Sequence, residues 1–427
     1  MKSIGHKIYS LCEELFPINR SLTGEGVRKT LNILKRELPD LSIIEVPTGT
    51  KCFDWVIPKE WNIKDAYILD PKGNKIVDFK KNNLHVVGYS VPMNTTLTLQ
   101  ELNKNLYSLP EQPTAIPYVT SYYSEHWGFC LTHEQRENLI DGEYTVCIDS
   151  NLLDGSLTYG ELLIKGKTKE EIFLSTYICH PSMANNELSG PTVTTYLAKW
   201  ISSLRNCKYS YRIIFIPETI GSIMYLSKNV DIMKNNIVAG FNLTCVGDNN
   251  TYSYLPSRSE NTLSDKVAKH VLKYMVETYS SYSFLKRGSD ERQYCSPNVD
   301  LPVCSVMRTK YNEYSEYHTS LDNLDYISAK GLDGAYNVHV RMIEAIEKNN
   351  VYMVATMCEP QLGKRGLYPI MNTKDSQDLV EDMMNFWTYC NGEMDLIDIA
   401  NKIDVPIWKL YKIADDFLSH NLIKVVN

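Results

Sequence analysis

The chain has 427 residues, more than one ordinary core accommodates, so length argues for two or three domains. Hydrophobic residues make up 43% and charged residues 22%, a balance that excludes disorder over most of the chain. A net charge of −7 and a pI near 5.8 supply no overall attraction for nucleic acid or an anionic membrane, which leaves small or neutral ligands.

The opening MKSIGHKIYSLCEELFP breaks its apolar residues with polar ones and lacks the continuous apolar stretch of a signal peptide. No other segment reaches the length of a membrane span. A cytoplasmic protein without a membrane is the expectation. The eleven cysteines are odd in number, scattered and without a CxxC pair. They suit neither a disulfide framework nor a Cys-type structural zinc site, and read as free, buried thiols.

From Lys7 to Leu38 apolar residues recur at helical spacing, interrupted by NRSLTGEG. Two helices are predicted, the second starting at Thr23 or Gly24. Between Ser42 and Gly142 short β-like runs (SIIEV, DWVIP, AYILD, KIVDF, LHVVGYSVP) are broken by Pro, Gly and Asn, which predicts an inserted, mostly β subdomain. From Glu143 to Met307 strands and helices alternate. TVCIDS, GELLIKG and EIFLSTYICH come first, then the helix GPTVTTYLAKWISSL and the strand RIIFIPET. A helix from about Gly221, the strand IVAGFNLTCV, a helix over Leu263 to Tyr279 and the strand LPVCSVM follow.

Such buried strands between amphipathic helices predict an α/β fold with a mainly parallel sheet flanked by helices. A further helix is expected after Asp325, running to Lys348. From Gln377 the order helix, turn, helix, helix, short strand matches a winged helix. The domains expected are residues 1–40 with 143–350, an insertion over 41–142, and a winged-helix-like domain over 351–427.

Polar residues at strand ends carry the chemistry. His180 closes the apolar strand EIFLSTYICH, and Glu218 closes RIIFIPET, where a carboxylate is costly unless paired, coordinated or used. Asp290 lies in the polar loop RGSDERQY, and His318 follows LPVCSVM in EYSEYHTSLDNL. Two histidines and two carboxylates from four loops on one sheet edge suit a tetrahedral metal site better than a nucleophilic triad. Helix capping by Glu218 and a surface ion pair for Asp290 stay open on the residues alone.

The succession HPS, ANNELSGP before a helix, FIPETIGS after a strand, SDERQ and YHTSLDNL resembles the zinc aminopeptidase family of co-catalytic exopeptidases. It is closest to bacterial polysaccharide biosynthesis proteins with an aminopeptidase-like domain and a C-terminal winged helix. The resemblance implies a zinc-exopeptidase-like fold with His180, Asp290 and His318 as metal ligands, Glu187 assisting, and Glu218 as the base that takes a proton from metal-bound water.

Three positions depart from the family pattern. Asn186 stands for the bridging aspartate, Thr219 for the second glutamate of a pair, and Ser182 for the aspartate two after the first histidine. Fewer anionic ligands favour one zinc ion over two. The implied function is metal-dependent hydrolysis of an amide bond in a peptide or a modified sugar. The alternative is a non-catalytic regulatory or scaffolding protein. The helix VPIWKLYKIADDFLSHN carries only Lys409, Lys412 and His420 against two aspartates, so a protein partner or homo-oligomer is expected there, with nucleic acid disfavoured.

Overall fold

The computed structural model describes residues 3–368 and 374–426. The chain opens with the helix Ile4–Leu15, begun where the Ser3 hydroxyl accepts the His6 N–H, and it buries Ile8, Leu11, Cys12 and Leu15. A second helix, Glu25–Glu37, follows Gly24 at φ +96°. A side chain at Gly24 would meet the Trp61 carbonyl oxygen at 2.3 Å, so this entry requires glycine.

The main sheet has eight strands. Glu171–Tyr177 lies at its middle, parallel to Ser210–Ile216 on one side and to Ile237–Asn242 on the other. Ile237–Asn242 continues in parallel to Val303–Met307. Outside this parallel centre the sheet turns antiparallel. Ser156–Ile164 pairs with Ser210–Ile216 and with the edge strand Ser42–Pro47, and Ser253–Leu255 pairs with Val303–Met307. The expectation of parallel strands therefore holds for the centre, and the flanks run the other way.

All seven residues of Glu171–Tyr177 are buried, as a strand covered on both faces requires. Its one carboxylate, Glu171, is neutralised by a two-point contact with the buried Arg212, at 2.6 and 3.0 Å. Phe173 packs edge-to-face on Tyr294 with ring centroids 5.0 Å apart. Because the central strands share one direction, their C-terminal ends open on the same edge of the sheet.

The inserted segment builds a second, four-stranded antiparallel sheet in the order Lys75–Asp78, Glu60–Leu69, Glu143–Leu153, Met93–Thr98. Glu143–Leu153, expected to open the α/β alternation, belongs to this sheet instead. Along its length burial alternates from Tyr144 to Ser150, the mark of a strand with one packed face. LHVVGYSVP is no strand. Asn82 caps a short 3₁₀ turn, Asn83–His85, and Tyr89 takes φ +66°, so the run folds as a turn held by single bridges at Val86 and Gly88.

Two compact units emerge, Met1–Ser264 with Tyr279–Tyr336, and Asp265–Thr278 with Asn337–Asn427. The second holds a three-stranded antiparallel sheet of Asn391–Asp395, Val351–Val354 and Ile423–Val426, and the helices Lys374–Tyr389, Leu396–Lys402 and Ile407–Ser419. Phe386 lies against Tyr352 and Phe417 at 5.8 and 5.9 Å. This unit also takes in Asp265–Thr278, where His270 accepts the Ile407 N–H through Nε2 and donates through Nδ1 to Asn401, which fixes the neutral tautomer. In Ile407–Ser419 Lys409 pairs with Asp382 and Lys412 with Asp416, so both lysines of that helix are already neutralised. Among the described residues no helix is long and apolar enough to cross a membrane.

Phe173 is fully buried on the central strand. Phe173→Ala should lower unfolding free energy by about 3–5 kcal/mol, the cost of an emptied aromatic site, read as a shift of the urea midpoint at unchanged slope.

Candidate active site

Beyond Tyr177 the central strand runs out through Ile178, Cys179 and His180, turns at Ser182 (φ +42°), and re-enters the core as a π-helical turn, Ala184–Leu188, continuous with the helix Ser189–Ser203. A side chain on Gly190 would meet the Leu243 carbonyl oxygen and the Thr176 hydroxyl at 2.5 Å, so glycine lets the helix start against the strands. Residues 178–190 are all buried, and their backbone donors need partners. Asp322 supplies them. One carboxylate oxygen accepts Asn185 N–H at 2.6 Å and Ala184 N–H at 3.2 Å, while the other accepts Asn186 N–H and the Tyr314 hydroxyl at 3.0 Å.

His180 is 4% exposed. Its Nδ1 lies 2.9 Å from Glu187 Oε2, and its Nε2 lies 3.7 Å from Glu218 Oε2. The His318 ring is 5.5 Å away, between centroids, and stacks on Tyr317 at 3.9 Å. Behind Glu187 sits the buried Arg20, whose Nε is 3.5 Å from Glu187 Oε1 and donates to the His180 carbonyl at 3.1 Å. Asp290 Oδ1 accepts the Thr219 N–H and the Ser222 hydroxyl, both at 2.8 Å, while its Oδ2 is buried with no hydrogen-bond partner.

Burial dominates the electrostatics. It pushes His180 and His318 down to about 3, so both imidazoles are neutral, the form that binds a metal. It pushes Glu218 up to about 8 and Asp290 to about 6, and their mutual repulsion adds to the rise of Glu218. Burial also pushes Glu187 up to about 8, with the Arg20 guanidinium opposing the rise. Four non-glycine residues at this edge, Ser182, Thr219, Cys245 and His318, have positive φ. Thr219 is β-branched and at φ +64°, a backbone cost that only the surrounding structure sustains.

His180, Glu218 and His318 line a cavity of about 340 Å³. Its walls include Trp55, Tyr118, Tyr122 and Tyr123 from the inserted segment and Leu22 from the N-terminal turn. Of the five residues expected to form the site, Glu187 and Asp290 do not line this cavity. Asp290 lies behind Glu218 on the neighbouring Thr219, and Glu187 lies on the Nδ1 side of His180. Asn186 turns its Oδ1 to the Tyr177 hydroxyl at 2.9 Å, and its Nδ2 is buried without a partner.

These residues fit a divalent cation. Two neutral imidazoles stand beside two carboxylates that crowd each other, one of them with a buried oxygen that nothing engages, and a cation supplies the missing counter-charge. Among the described residues, the three ligand-type atoms that lie within 4.8 Å of one another are those of Cys179, His180 and Glu187, around Nδ1. Burial and nearby carboxylates hold the Cys179 thiol far above its ordinary value. The Nε2 side is the open one.

Asp322 is the residue that sequence reasoning passed over, and Arg20 reads from sequence only as a loop residue at the edge of the cleft. Arg20 sits in NRSLTGEG, four residues before Gly24, with nothing in its spacing to separate it from a surface turn. Asp322 stands four after His318 inside YHTSLDNL, and its partners Ala184, Asn185 and Asn186 are far off in the chain. Ser182 donates toward Phe16 O and accepts from Asn83, away from His180.

A family model described as a domain of unknown function (DUF4910) matches residues 9–349, and one described as winged helix-turn-helix matches residues 350–425. A Clostridium acetobutylicum protein, named as a candidate polysaccharide biosynthesis protein with aminopeptidase-like domain, is 48% identical over 99% of this chain and 97% of its own. A crystal structure of a candidate peptidase from the same species superposes with a TM-score of 0.93 at 47% identity, over 99% of this chain and 96% of that one. BSAP, a zinc aminopeptidase of Bacillus subtilis, superposes at 0.57 with 13% identity, over 80% of this chain and 94% of its own, a likeness of fold. The first unit thus has the zinc-aminopeptidase fold, and a winged helix follows it.

Asp322→Ala removes the acceptor of three buried backbone donors. At about 1–3 kcal/mol for each stranded donor, a loss of at least 3 kcal/mol is expected in chemical denaturation, with faster amide exchange at residues 184–186 than at residues 171–177.

Proposed function

The chain belongs to the family defined by that domain of unknown function, and from this membership and the geometry of its site we propose that it is a metal-dependent, aminopeptidase-like hydrolase acting on an amide bond. One observation carries the reading. His180 Nε2 and Glu218 Oε2 stand 3.7 Å apart in the cavity, beside His318 and the half-satisfied buried Asp290.

His180, Asp290 and His318 are the groups that would hold the ion, one zinc in place of two, since Asn186 and Thr219 bring no anionic oxygen. Bound there, zinc supplies a polarised carbonyl and a water that ionises near neutral pH. The remaining work falls to side chains. Glu218 is the group placed to take a proton and deliver it to the departing nitrogen, and burial sets its carboxyl near the working range of a general base. Trp55, Tyr118, Tyr122 and Ile220 give the cavity apolar walls that exclude water and orient a substrate.

Those walls suit a small molecule or short peptide whose scissile amide is flanked by an apolar group. The name of the Clostridium relative points to a polysaccharide pathway, which brings an acylated amino sugar into the same class. A cytoplasmic setting, and a protein partner or second copy for the winged helix, belong to this reading. The division into 1–40 with 143–350, 41–142 and 351–427 belongs to this reading too, with the strand Ser42–Pro47 moved to the main sheet and Glu143–Leu153 to the inserted one. The opposing reading, a non-catalytic scaffold, draws on Asn186, whose oxygen is engaged by Tyr177.

Metal analysis of the purified protein should find about one zinc per chain, lost in His180→Ala and Asp290→Ala. Glu218→Gln should keep the metal and lose about 10²–10⁴-fold in turnover of aminoacyl amides or N-acylated amino sugars. A wild-type protein that takes up no metal sinks the hydrolase and leaves the scaffold.

A further inference from the structure

Large apolar side chains left in water gather at the mouth of the catalytic cavity. The strands Lys51–Cys52 and Trp55–Val56 form a short hairpin, on which Trp55 and Val56 are 38% and 44% exposed, and Tyr123 is 58% exposed. Trp55 and Tyr123 meet edge to face with ring centroids 5.9 Å apart, and both line the cavity that holds His180 and Glu218. Two open depressions adjoin it. Trp55 and Tyr123 line one of about 360 Å³ with Asp54 and Val56, and Tyr122 and Tyr123 line another of about 240 Å³ with Lys59 and Glu125. The shared side chains make the three one continuous surface, of the kind that marks a ligand groove when polar groups rim it. We infer that the Trp55 and Tyr123 rings are a platform for a pyranose ring, so that the substrate is an N-acylated amino sugar with its acyl group in the cavity and its ring outside. This rests on the hydrolase reading for the chemistry in the cavity, and of the two substrate classes left open there it selects the sugar.

A pyranose has two unlike surfaces, a face of C–H bonds and a rim of hydroxyls. The face stacks on an aromatic ring that stays open to water, where the hydroxyls at its edge keep their hydration. The rim needs small acceptors and donors close to the ring. Asp54, Lys59, Ser124 and Glu125 are exposed around the platform, and their side chains make no hydrogen bond or ion pair among the described residues. A carboxylate accepts two donors side by side, which suits the neighbouring hydroxyls of a sugar. An apolar peptide side chain gains most from enclosure and would leave these polar groups unused. Two carboxylates against one lysine also give no attraction for a phosphate or a nucleic acid. The platform is held in place before any ligand arrives. Gly49 N–H donates to the Ile57 carbonyl and Ile57 N–H to the Thr50 carbonyl, which closes the hairpin. Ser121 N–H donates to the Gly88 carbonyl and Ser124 N–H to the Ser121 carbonyl, which fixes the turn that carries Tyr122 and Tyr123.

Saturation-transfer NMR and the Trp55 indole N–H signal, assigned by its loss in Trp55→Tyr, read the binding. The probes are N-acetylglucosamine, its disaccharide, and N-acetylleucinamide as the peptide counterpart. Both sugars should bind and move the Trp55 signal, in zinc-loaded and in metal-free protein, with the peptide probe weaker. Trp55→Ala and Tyr123→Ala should each weaken the disaccharide about tenfold, the cost of a lost aromatic anchor, while Trp55→Tyr, which keeps a ring, should hold most of the affinity. Both side chains reach water, so unchanged melting temperatures are expected and control for folding. No binding of either sugar overturns the inference, as does tighter binding of N-acetylleucinamide, or disaccharide affinity unchanged in both alanine variants. Trp55→Ala should keep the wild-type zinc content, which separates this outcome from a failure of the metal site. No zinc in wild type overturns the hydrolase, and sugar binding to the metal-free chain then decides the platform alone.

Discussion

Charge that is buried must be answered by charge, and at the open edge of the main sheet this constraint organises everything nearby. Arg20, 1% exposed, is faced by Glu187, whose other oxygen lies against His180. One guanidinium therefore couples the turn after the first helix, the loop leaving the central strand and the ring at the cavity floor. Asp322 performs a parallel task through hydrogen bonds, gathering three consecutive backbone donors of the loop 184–186. Between them these two groups hold a stretch of buried polar backbone that no regular ladder could satisfy.

The site differs in kind on its two sides. Behind His180, Asp322, Tyr177 and Thr244 engage the loop's backbone and Asn186, and Glu187 faces Arg20, although Arg20 Nη2, Glu187 Oε1 and Asn186 Nδ2 keep no hydrogen-bond partner. In front, pairing stops. Glu218 and Asp290 crowd together, Asp290 keeps an unengaged oxygen, and His318 meets only aromatic faces among the ring contacts of Tyr118 and Tyr317. Positive-φ backbone at Ser182, Thr219 and His318 marks the same ground.

The insertion has a comparable logic. Trp55 on a short hairpin and Tyr118, Tyr122 and Tyr123 from the connecting segment, outside the four-stranded sheet, line the cavity wall. The cavity's aromatic wall therefore comes from the inserted segment, while His180 and Glu218 come from the strand ends. The winged-helix unit is built on its own core around Phe386 and Phe417, and its lysines on Ile407–Ser419 are spent on local ion pairs.

By itself the sequence determined the alternation of buried strands and amphipathic helices, and with it an α/β sheet whose strand ends carry His180 and Glu218. Hydrophobic periodicity is a local property, legible residue by residue. It also determined the winged helix, since three short amphipathic segments and a terminal strand allow few other packings. Tertiary structure alone decided that Glu143–Leu153 joins the inserted sheet, because a strand with one packed face pairs with whichever partner completes its register. It alone decided the contacts of Glu187, an expected ligand whose two oxygens face His180 and Arg20. The partners of a buried charge are set by what the fold brings within a few ångströms, and Arg20 and Glu187, 167 positions apart by subtraction of their numbers, meet only once the core has closed.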